Sequence, residues 1–66
     1  MTSERDRQAR ANADEAAQWG VALASCAVEL ARIAEQLRRC DQSRNAGALT
    51  VIAQRTRTMA RELLSL

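Results

Sequence analysis

Apolar and polar positions alternate with a helical period along most of the chain. Between Trp19 and Cys40 the larger apolar residues are Trp19, Leu23, Cys26, Leu30, Ile33, Leu37 and Cys40, spaced four and three without a break. That heptad spacing sets them in one line along a packed helix. A second line runs beside it, Ala13, Ala17, Gly20, Ala24, Ala27, Ala31 and Ala34, made only of side chains small enough to let another backbone approach. The pattern predicts a first helix over about 4–40, with Thr2 or Ser3 capping it and Glu4 and Asp6 in the first turn, where the helix dipole favours acids. Residues 1–15 continue the large line only as Ala9 and Asn12, so they are expected to project past the packed region.

The periodic pattern stops at Asp41, Gln42, Ser43, Arg44 and Asn45, a cluster of turn and capping residues, with Asp41 or Ser43 expected to cap the next helix. That second helix is predicted over about 46–66, with Leu49, Ile52, Thr56, Met59, Leu63 and Leu66 at spacings of three and four. A turn this short joins antiparallel neighbours. The expected fold is therefore all-α: one domain, an antiparallel two-helix hairpin with a long first helix. Two copies would pair into a four-helix bundle. Leu23, Leu30, Ile33, Leu37, Leu49, Ile52, Met59 and Leu63 are expected to hold the hairpin. The small line, with Gly20, Ala24, Ala27, Ala31 and Ala34, is expected to meet a second chain. Trp19 either plugs the open end of the hairpin core or anchors another chain, since tryptophan is enriched among residues that dominate binding energy.

Composition sharpens this picture. The chain has 66 residues, and 14 of them are alanine, so its 47% hydrophobic content carries little bulk. A domain near this size buries only about 60% of the surface its unfolded chain exposes, and self-association is the simplest further source of stability. There is no proline to interrupt a helix. Strand patterns are absent too. Cys26 and Cys40 lie 14 residues apart on one predicted helix, about 21 Å at 1.5 Å per residue, beyond the reach of a disulfide. They read as reduced core residues, with a bond between two copies through Cys40 as the alternative. No signal-peptide pattern and no membrane-length apolar run occurs, so the cytoplasm is the expected compartment.

Charge is uneven. Residues 1–37 hold four arginines against six acids, a balance of −2, and residues 38–66 hold six arginines against two acids, a balance of +4. Arg55, Arg57 and Arg61 are candidate nucleic-acid contacts, because arginine suits planar, bidentate phosphate recognition. Against this, no aromatic residue interleaves them to stack bases, and no third helix is expected that could brace a helix-turn-helix. The absence of histidine, of paired-cysteine zinc spacing and of a glycine-rich phosphate loop argues against an enzyme, a metal, a cofactor or a small-molecule substrate. The expected function is a small interaction module, a regulator, inhibitor, chaperone or adaptor, whose partner is a second copy or another helical protein. The plan looks like the small plasmid regulator that binds paired RNA loops as a bundle of two hairpins. Its length, longer first helix and turn cysteine also resemble the small co-chaperones of needle subunits in type III secretion; that likeness implies packing against a helical-repeat partner. A phage-encoded inhibitor of a host protein would use the same surface.

Overall fold

The computed structural model describes residues 3–66 as two α-helices, α1 over Glu4–Arg39 and α2 over Ser43–Leu64, in a rod of 60 × 13 × 11 Å. Helix α1 starts where the sequence supplies a cap: Ser3 is extended, and its hydroxyl accepts a hydrogen bond from the Asp6 N–H at 3.1 Å. Thr2, the other expected cap, lies outside the described residues. Glu4 and Asp6 occupy the first turn and Arg38 and Arg39 the last, both favourable to the dipole. The helix continues through its charged N-terminal third, where Arg7 pairs with Glu4 at 3.2 Å and the Gln8 amide donates to Asn12 at 3.0 Å. Residues 3–12 are exposed throughout.

The turn is tighter than the sequence pattern suggests, and α2 begins three residues earlier than position 46. Cys40 caps α1, and Asp41 comes next at φ 65°. The Gln42 N–H then donates to the Leu37 carbonyl at 2.8 Å and the Asp41 N–H to that of Arg38 at 3.2 Å, the paired bonds of a Schellman motif with aspartate where glycine is usual. With those carbonyls satisfied, the chain can turn at once. Gln42 is the N-cap of α2 and makes no side-chain capping bond, so neither Asp41 nor Ser43 has the capping role expected of it. Asp41 instead supplies the left-handed residue that ends α1, and Ser43 is already helical.

The helices run antiparallel. Near the open end, Gly20 lies against Ala60 and Leu64; near the turn, the Arg38 guanidinium donates to the Thr50 hydroxyl at 2.9 Å. Between these points the interior consists of Ala27, Ala34, Ala46, Ala53 and Ala60, each 0–3% exposed, together with buried Gly20. Each helix contributes one buried small residue every seven positions, so two flat lines meet. This reverses the expected assignment of the seams. The large residues do not hold the centre: Leu23, Leu30, Leu37, Leu49 and Leu63 are half-buried at its margin, and Ile33, Ile52 and Met59 are exposed. Small residues let the two backbones come close enough to touch along their length, whereas a leucine or isoleucine there would hold them apart.

Gly20 marks the tightest approach. A Cβ there would sit 3.0 Å from Leu64 Cγ and 3.2 Å from the Ala60 carbonyl oxygen, whereas a Cβ at Gly47 would meet nothing within 4 Å. Gly47→Ala is therefore expected to stabilise the chain by about 0.5–1 kcal/mol through helix propensity alone. Gly20→Leu is expected to cost about 1–3 kcal/mol by overpacking. Urea unfolding followed by circular dichroism checks both; a Gly20→Leu chain as stable as the parent would contradict the close approach.

Candidate interaction surface

What the hairpin leaves outside is its most informative feature. In each helix, the residue three positions after a buried one lies about 60° round the helix, and the residue just before it lies about 100° round on the same side. On α1 these are Leu23, Leu30 and Leu37, then Trp19, Cys26 and Ile33. On α2 they are Leu49, Thr56 and Leu63, then Asn45, Ile52 and Met59. Two antiparallel helices in contact are related by an approximate two-fold axis normal to their common plane, so corresponding flanks fall on one side of the hairpin. The opposite flank agrees: Arg38 and Thr50, each four residues after a buried alanine, bond to each other, and Leu64, four after Ala60, covers Gly20. All the large apolar residues of both seams therefore share one broad face.

That face is open. Trp19 is 61% exposed, Ile33 48%, Ile52 49% and Met59 53%, with the half-buried leucines between them. Trp19 is thus no plug in the hairpin core. Together these side chains present on the order of 600 Å² of apolar surface, taking a large side chain at about 200 Å². The largest patch on an ordinary monomer is about 300–600 Å². Cys26 and Cys40 are free thiols, exposed rather than buried in a core as expected, and both lie on the lines that border this face.

The opposite flank is pinned by polar groups near the turn. The Thr50 hydroxyl donates to the Ala46 carbonyl at 2.8 Å while accepting from Arg38, which also pairs with Glu35 at 3.0 Å. This relay fastens the helices near the turn without taking a side chain from the apolar face. Val21 and Val28 are exposed beyond it.

Of the residues expected to meet a second chain, Trp19 alone is on the open apolar face. Gly20, Ala27 and Ala34 are enclosed by α2, Ala24 is half-buried, and Ala31 is exposed on the Arg38 flank. The sequence pattern did not single out their counterparts Ala46, Ala53 and Ala60, although the seven-residue spacing is visible in the second helix. The arginines do not form one patch. Arg57 and Arg61 are neighbours on the Arg38 flank, while Arg55 points from the outer side of α2, about 160° round the helix from Arg57; all three are exposed.

The surface depressions that are best defined each lie on the outside of a single helix, one bordered by Val51, Gln54, Arg55, Thr58, Met59 and Glu62 and the other by Ser25, Cys26, Glu29 and Leu30. Neither encloses converging polar groups. Among the described residues no group of three or more histidine, cysteine, aspartate or glutamate side chains is placed to hold a metal ion, and no helix is long and apolar enough to cross a membrane. No family model, curated protein or solved structure matches the chain.

The two alanine environments give a direct check. Ala27→Leu forces an isobutyl group between the two small seams and is expected to cost about 1–3 kcal/mol, whereas Ala22→Leu, on the exposed outer side of α1, is expected to stay within about 0.5 kcal/mol. Equal losses in a denaturant titration would contradict the assignment of the interior.

Proposed function

We propose that this protein is a small, non-enzymatic interaction module, an adaptor, chaperone or regulator, that works by laying the apolar face of its hairpin against two further helices to complete a four-helix bundle. The observation that carries this reading is the concentration of Trp19, Ile33, Ile52 and Met59, with the half-buried leucines beside them, on one side of a hairpin whose own interior is only alanine and glycine. Exposed aliphatic and aromatic side chains in two parallel rows present the ridges and grooves that helices pack into. A flat two-helix face also suits a helical occupant better than an extended strand, since the hairpin offers no open sheet edge. The Arg38–Thr50 bond on the opposite flank contributes hairpin closure. The division of the arginines between two sides of α2 favours this reading over a phosphate-binding face, which needs its positive charges together.

A photo-crosslinking amino acid placed at residue 33 or residue 52, in the cell that makes the protein, is expected to yield discrete protein adducts. The same group at residue 32 or residue 36, on the polar side of α1, is expected to yield few or none. Adducts that do not depend on position, or an absence of adducts from the apolar face, would contradict the proposal.

A further inference from the structure

We infer that the occupant of this face is a second copy of the same chain. The inference rests on the interaction-module reading and adds to it the identity of the partner. Two observations support it. The first is area: on the order of 600 Å² of apolar surface on one chain matches the apolar share of the roughly 800 Å² per partner of a standard stable interface.

The second is dependence. Among the described residues none of the large side chains is fully buried, and the hairpin interior is confined to alanines and one glycine. A 66-residue chain with so small an interior needs its covering from the moment it is made. A second copy is the one partner always present in equal amount.

Sedimentation equilibrium of the purified full chain is expected to give twice the 7.3 kDa monomer mass at micromolar concentration, and Ile52→Glu is expected to raise the dissociation constant at least tenfold. A monomer whose residues 33 and 52 still crosslink to some other protein overturns the second copy while leaving the interaction module standing. A monomer with no adducts from that face overturns both.

Discussion

Close contact between two lines of small side chains is the constraint on which the rest of this molecule depends. Gly20, Ala27 and Ala34 on one helix and Ala46, Ala53 and Ala60 on the other are the buried residues of the hairpin. Alanine sacrifices no side-chain entropy on burial and favours the helix. It also gives little apolar area. Backbone proximity replaces side-chain bulk as the source of contact, and Gly20 shows how little room is left, since even a methyl group would press on the Ala60 carbonyl. The large residues, excluded from that narrow interior, must collect elsewhere.

They collect on one side because the two seams run in step. Most buried positions have a large apolar residue just before them, three positions after them or both, with the same hand on both helices, and an antiparallel turn brings the matching flanks together. The other flank has smaller apolar residues and, near the turn, polar groups, where Arg38 joins Glu35 to Thr50. The turn itself is short because Asp41 adopts the left-handed conformation and two backbone bonds close over it. With 36 residues in α1 against 22 in α2, the first helix runs on beyond its neighbour. Its exposed first turns are held by the Ser3 cap, local pairs and continuity with the packed helix, which extends more readily than a new helix begins.

The hairpin was legible in the sequence to within a few residues, because heptad spacing, an uninterrupted run without proline and a single cluster of turn residues all agree. The roles of the seams were not. Hydrophobic bulk is the usual guide to an interior, and by that guide Leu23, Ile33, Ile52 and Met59 belong inside. The deciding feature was a match between helices: only the stripe of α1 that has an equally flat counterpart, Ala46, Ala53 and Ala60, can make the close contact. That counterpart carries no large residue to draw notice. For Trp19 the exposure removes the core-plug alternative, because a seam position is not the same as burial. The candidate arginines of α2 are close in sequence, but a two-residue step turns the helix by about 200° and separates Arg55 from Arg57.

The most direct test of which seam lies inside is a set of isotope-filtered nuclear Overhauser spectra on a mixture of labelled and unlabelled chains. The close packing at the open end predicts strong intrachain contacts from the Gly20 Hα protons to the Leu64 methyls, with Trp19 and Ile33 absent from the intrachain contacts across the small seam. Finding the Gly20 contacts only between chains, with Ile33 and Ile52 packed against each other inside one chain, would contradict it.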